Sequence, residues 1–343
     1  MSGAVHARAL ASMAWALALA GLMAAAQAAD PASGAATAFE ARTDAQWLLA
    51  IQSAAGRQNY TGTIIYQRGD DMRASRVIHY FDGNDAQERV LTLDGQQREF
   101  IRHGDEVQCL YPRLHRIVIE HGAARPGFPA LAQAGPAEVL EHYELHRGGL
   151  ERVAGSTCQL LTLVPLDHFR YGYRLWVEPS SGLLLKVQTL NDRNEVVEQI
   201  AFSDVRIGEQ IDPAQLKPSW PTAGWSVDRQ AAREIELKQQ GWSVTAPSGF
   251  RRLIEVVRNK LIGSRDAEHP TLQAVYSDGL ATVSVFIEPG APPLGVAEES
   301  QRRGSLSAIT RSVGDARVTV VGEVPPSTAR SIAESVVRSD QTK

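Results

Sequence analysis

Between Tyr60 and Val205 the chain is written in period two. Tyr60–Gln67, Met72–Tyr80, Gln87–Leu93, Gln97–Arg102 and Glu106–Tyr111 are short runs, separated by Gly69-Asp70, Asp82-Gly83-Asn84, Asp94-Gly95 and Gly104-Asp105. Successive side chains of a strand point to opposite faces, so such runs read as strands and the Asp-Gly or Gly-Asp pairs as hairpin turns. A second set follows: His142–Arg147, Cys158–Val164, Tyr171–Val177, Leu183–Leu190 and Glu195–Val205. No helical pattern lies between these strands, which predicts an antiparallel sheet in meander order. About ten strands do not stay as a flat open sheet; they curl into a barrel or half-barrel.

One helix precedes the strands. Thr43 with Gln46 three residues on forms a capping-box pattern, Trp47, Leu48, Ile51, Ala54 and Ala55 recur at helical spacing, and Gly56 can end the helix. Some strands are apolar on both faces. Leu183, Leu185 and Val187 oppose Leu184 and Leu190, and Tyr171, Tyr173, Leu175 and Val177 oppose Trp176. One face can pack on the helix; the other then lines an apolar concavity or meets something else. Gly122–Pro136, rich in Pro and Gly with isolated Phe128 and Leu131, reads as a long loop of the kind that is functional or mobile. Pro213, Pro218, Trp220 and Pro221 read as a linker. Beyond it come strand-like runs at Trp242–Ala246, Leu253–Val257, Leu272–Tyr276, Ala281–Ile287, Leu306–Arg311 and Arg317–Val321. Pro325-Pro326-Ser327 then opens a helix with Ala329, Ile332, Ala333 and Val336 on one face. The expected organisation is a β-rich domain over 41–210, a linker over 211–224 and a smaller αβ domain over 225–340.

The first residues have the three parts of a cleavable export signal. A short start carries Arg8, an apolar run extends from Ala9 to Ala26, and Ala26-Gln27-Ala28 offers a small-x-small cleavage site. This predicts a signal peptide over 1–28, cleavage near Ala28/Ala29, an Ala/Ser/Gly-rich leader over 29–40, and work outside the cytoplasm. The net charge is -4, and neither part of the chain carries the clustered positive field that a phosphate backbone requires. Nucleic acid is not expected as a partner. Two cysteines, Cys109 and Cys158, in an exported chain leave open a disulfide or two buried thiols on separate strands.

Catalytic groupings are hard to find. There is no Gly-x-Ser-x-Gly, P-loop, dinucleotide fingerprint or His-Glu-x-x-His. His142, Glu144 and His146 alternate onto one face of a strand, where solvent exposure explains them better than a metal. Asp167-His168 reads as a polar turn, and Arg251, Arg252, Arg302 and Arg303 as solvated loop charge. The residues themselves point to an exported β-rich binding protein, not an enzyme, and to no cofactor or metal.

Three stretches carry a family resemblance. They are Y-T-G-T-I-I-Y-Q at Tyr60–Gln67, then R-Y-G-Y-R-L-W-V-E, S-G-L-L-L-K-V and E-Q-I-A-F within Phe169–Phe202, and V-Y-S-D-G-L at Val275–Leu280 with V-G-E-V-P-P-S-T at Val321–Thr328. Together they resemble the sigma-E factor regulatory protein family, RseB/MucB. The resemblance implies an α+β, mostly antiparallel chain: a LolA/LolB-like unclosed β-barrel with helical cover, followed by a smaller αβ domain. It further implies a periplasmic negative regulator. Such a regulator binds the periplasmic segment of a single-span anti-sigma factor of RseA/MucA type, shields it from a site-1 protease, and is released by lipopolysaccharide or another envelope lipid. The alternative is a lipid or lipoprotein carrier. A homodimer stays open. On this reading Ile64, Leu163, Tyr173, Leu175, Leu185 and Phe202 are candidate lipid contacts, with Phe128 and Leu131 as a mobile lid. Tyr276, Ser277, Asp278, Gly279 and Leu280 form a candidate partner surface.

Overall fold

The protein is described by a computed structural model covering residues 42–121, 128, 135–230, 232–258, 270–291, 295 and 298–338. The expected signal peptide and leader lie outside these residues. The first element is helix α1, Asp44–Arg57. The capping box forms as expected: the Gln46 backbone N–H donates to Thr43 Oγ1, and the Thr43 N–H donates to Gln46 Oε1. Both bonds satisfy donors that a helix start leaves unpaired. Trp47, Leu48, Ile51, Ala54 and Ala55 are buried.

Two meanders follow. The first is β1 (Tyr60–Arg68), β2 (Asp71–Phe81), β3 (Ala86–Thr92), β4 (Glu99–His103), β5 (Glu106–Tyr111) and β6 (Arg116–His121). After a short helix α2 (Pro136–Leu140), the second is β7 (Tyr143–Val153), β8 (Ser156–Pro165), β9 (Gly172–Val177), β10 (Leu184–Leu190) and β11 (Val196–Ile207). β1 pairs with β11 and joins the meanders into one sheet, ordered β12-β6-β5-β4-β3-β2-β1-β11-β10-β9-β8-β7. Its two edge strands do not pair with each other, so the sheet is unclosed, as expected. β12 (Ser226–Gln230) is the exception to antiparallel order: it lies parallel to β6, with Val227 opposite Ile117.

The second sheet is ordered β13-β15-β16-β17-β20-β19-β18, all antiparallel. Its strands are β13 (Ala232–Glu234), β15 (Arg251–Arg258), β16 (Thr271–Ser277), β17 (Thr282–Pro289), β18 (Glu298–Arg303), β19 (Leu306–Val313) and β20 (Ala316–Gly322). A two-stranded pair, β14 (Trp242–Ser243) with β21 (Val337–Arg338), completes the set. β20 shows the cause of the alternation: Ala316, Val318, Val320 and Gly322 are buried and the residues between them are not. Helix α3 (Pro326–Ser335) brings Ala329, Ile332 and Ala333 into the core with Val283, Val285, Ile309, Val318 and Trp242.

Three expectations change. Residues 211–224 are not a free linker. Ile211 and Leu216, the latter in the short 3-10 helix Pro213–Leu216, pack on Ile78, and the Ser219 N–H and hydroxyl donate to the fully buried Glu99. Ser226–Gln230, expected in the second domain, belongs to the first sheet because its backbone groups are taken up by β6. The cysteines are thiols and not a bridge: Cys109 is in β5, Cys158 in β8, and seven strands lie between them along the sheet. Burial pushes the Cys158 thiol up to about 12, which leaves it unreactive at neutral pH.

Candidate functional site

Directly opposed residues of antiparallel strands place their side chains on the same face. Two adjacent rows therefore cross one face of the first sheet. One is Gly62, Val77, Val90, Phe100, Cys109 and Val118. The other is Tyr60, His79, Glu88 and Arg102. The apolar row continues into a cluster with Ala54 of α1, Phe202 and Val205 of β11, and Trp176, Leu183, Leu185 and Cys158. Ile64 and Phe128 pack against it, and the Phe128 ring lies 5.3 Å from that of Phe202. At its rim Lys186 Nζ sits 4.2 Å above the Trp176 ring, while Trp176 Nε1–H donates to Glu151.

Gly62 is what lets Phe202 lie there. A Cβ on Gly62 would come within 2.4 Å of the Asp204 carbonyl oxygen and 2.9 Å of Phe202 Cδ1. The glycine in Y-T-G-T is thus a space requirement, not a turn. Beside it, Tyr60 stacks on His79 with centroids 4.9 Å apart and planes at 4°, and meets Phe202 edge-on at 6.0 Å. His79 Nδ1–H donates to the Gln58 carbonyl at 2.8 Å; a carbonyl only accepts, so the tautomer is fixed with Nε2 bare. Burial holds the His79 pKa below the usual histidine range. Burial also raises the Glu88 carboxyl, although Arg102 Nη2 reaches it at 3.3 Å.

Of the expected lipid contacts, Ile64, Phe128, Leu185 and Phe202 come together in this cluster. Leu163, Tyr173 and Leu175 do not. Tyr173 and Leu175 alternate with Trp176 along β9 and so face the other way, and Leu163 is opposite Tyr173; all three are buried. A bulge between Leu184 and Lys186 changes which β10 residues share the cluster face. Leu131 lies outside the described residues.

Tyr276–Leu280, expected as a partner surface, lies largely inside the molecule. Tyr276, Ser277, Asp278 and Gly279 are buried, and the turn is a joint between the two sheets. Asp278 Oδ1 accepts the backbone N–H of Leu280 and of Ala281. Asp278 Oδ2 accepts Tyr143 O–H at 3.0 Å and Arg170 Nη1–H at 2.9 Å. Arg170, its side chain also fully buried, grips Asp167 with Nε and Nη2, donates to the Ser248 carbonyl and lies 5.1 Å over the Phe250 ring. Thr328 Oγ1 donates to the Phe169 carbonyl nearby. Asp167, expected as a plain polar turn, is thus an arginine ligand. Arg170 was missed, though its place in R-Y-G-Y-R was visible. A second joint is formed by buried Glu198, which accepts from Arg68 at 3.1 Å and from Ser305, while Arg303 pairs with Asp71. Arg251 pairs with Glu138.

An apolar cluster thus lies beside buried polar groups on a sheet that is tied to a second sheet. Among the described residues, no group of three or more His, Cys, Asp and Glu is placed to hold a metal, and no helix is long and apolar enough to cross a membrane. Models described as the MucB/RseB N-terminal domain and the MucB/RseB C-terminal domain match residues 43–220 and 236–337. The chain is 30% identical to the Sigma factor AlgU regulatory protein MucB of Pseudomonas aeruginosa, over 87% of this chain and 92% of that one. It is 27% identical to the Sigma-E factor regulatory protein RseB of Escherichia coli K12, over 81% and 85%. A crystal structure of MucB in complex with MucA(peri) superimposes with a TM-score of 0.67 at 28% identity, covering 86% of this chain and 99% of that one. The chain belongs to the MucB/RseB family.

Proposed function

We propose that the protein is a periplasmic regulator of an envelope-stress sigma factor, built from a large and a small domain. It binds the periplasmic segment of a single-span anti-sigma factor and shields that segment from the site-1 protease. A lipid such as lipopolysaccharide, taken up at the cluster of Ile64, Phe128, Leu185 and Phe202, releases it. The observation that carries this reading is the likeness, over 86% of the chain, to MucB in complex with MucA(peri). The buried Arg170–Asp278 joint supports the last step, because it gives the lipid-facing sheet a mechanical connection to the second sheet. Release is then a population shift, and lipid acts only if it prefers the partner-free form. The test is proteolysis of the purified anti-sigma segment by its site-1 protease. Adding the mature protein is expected to slow cleavage, and lipopolysaccharide to restore it. Cleavage at the same rate with and without the protein sinks the reading.

A further inference from the structure

Two buried atoms, one in the cluster and one on the ring stacked against it, have no hydrogen-bond partner: Tyr60 Oη and His79 Nε2. Both residues are 0% exposed. Buried polar atoms are paired in the great majority of cases, and each exception asks for an explanation. Here the two exceptions are adjacent, on stacked rings, and on the face that carries the apolar cluster. Their chemistry is complementary. Burial keeps the Tyr60 hydroxyl protonated, so it is a donor. His79 has committed Nδ1–H to Gln58, so its other nitrogen is a lone-pair acceptor. A donor beside an acceptor, with apolar walls, matches a group that both accepts and donates.

We infer that Tyr60 and His79 form a subsite for the neutral polar head of an apolar chain, a hydroxyl or a secondary amide, which accepts from Tyr60 Oη–H and donates to His79 Nε2. Charged heads are disfavoured, because the nearest ions, Glu88 and Arg102, are already paired with each other. The inference rests on the lipid-binding part of the proposed function and adds what the lipid must present.

The experiment is calorimetric titration of the mature protein with decanol and with decyl methyl ether, which accepts but cannot donate. Decanol is expected to bind about five- to tenfold tighter, the worth of one buried hydrogen bond. It should also shift the His79 Nε2 resonance in nitrogen NMR. Tyr60→Phe removes a hydroxyl that has no partner in the free protein. It is therefore expected to leave the melting temperature unchanged or raised while weakening both probes about fivefold. A purely structural tyrosine would give the opposite pair, a lowered melting temperature with unchanged affinity. That result, equal affinity for the two probes, or binding of neither overturns the inference. If Tyr60→Phe does not fold, the wild-type affinity ratio and the His79 resonance decide. The protease assay without lipid separates the two ideas. Protection without decanol selectivity overturns only the subsite, and selectivity without protection overturns only the regulator.

Discussion

Asp278 and Tyr60 are both buried polar side chains, one at the joint between the sheets and one beneath the apolar cluster. Asp278 has four donors around its two oxygens. Tyr60 has none on its hydroxyl. Stability alone favours the first arrangement and penalises the second, since an unmet buried polar group loses its hydration without replacement. The joint holds the molecule together, and the cluster keeps hydrogen-bonding capacity in reserve.

The contrast breaks most readily at the joint. Asp278→Asn removes one of the two carboxylates that pair with the buried Arg170 and leaves only the partly exposed Asp167 to match its charge, so a loss of about 3 kcal/mol in denaturant unfolding is expected. Decanol affinity of the surviving folded protein should not change. A loss under 1 kcal/mol would make Asp278 a bystander. Gly62→Ala comes next. Its methyl meets the Asp204 carbonyl and the Phe202 ring, so a cost of about 1–3 kcal/mol is expected, together with weaker amphiphile binding, because the cluster itself is displaced. Unlike the joint variant, this one should move both readouts.

The smallest effect is a pH slope. The folded His79 pKa is lowered, so in acid the unfolded chain takes up a proton that the folded one refuses. The contribution of His79 is therefore complete above the usual histidine pKa of about 6.5 and is lost as pH falls below it. Glu88, in the same row, acts with the opposite sign: its carboxyl pKa is raised, so its charged form costs stability above the usual carboxylate range and acid relieves it. Unfolding free energies of wild type and His79→Gln, measured from pH 7 downward, should converge as pH falls below about 6.5. Parallel curves would show that His79 titrates as it does when unfolded.

Much of the fold was legible because it is local. Thr43 and Gln46 marked the start of α1, and Gly69, Gly83, Gly95 and Gly104 adopt the positive φ that the hairpin turns required. Strands without their own pattern were missed. Glu298–Arg303 is polar and largely exposed, and becomes a strand only because β19 offers it hydrogen bonds. Ser226–Gln230 depends on β6, more than a hundred residues earlier. The apolar cluster was half legible. Apolar strand faces pointed to Ile64, Leu185 and Phe202, but β9 and its β8 partner are buried on both faces, and Leu163, Tyr173 and Leu175 lie on the side opposite Trp176. The turn at Asp278 looked like a surface because its partners, Tyr143 and Arg170, are more than a hundred residues away in sequence.

The parallel strand β12 has a consequence for reach. It ends at Gln230 on one sheet, and β13 begins at Ala232 on the other. While β12 stays zipped to β6, almost no chain is left over between the sheets. If it peels away, its five residues pay out about 17 Å of cord. The Arg116–Asp228 ion pair and five rungs of backbone pairing thus act as a reel. They set how much chain joins the two sheets if the Asp278 and Glu198 joints both open.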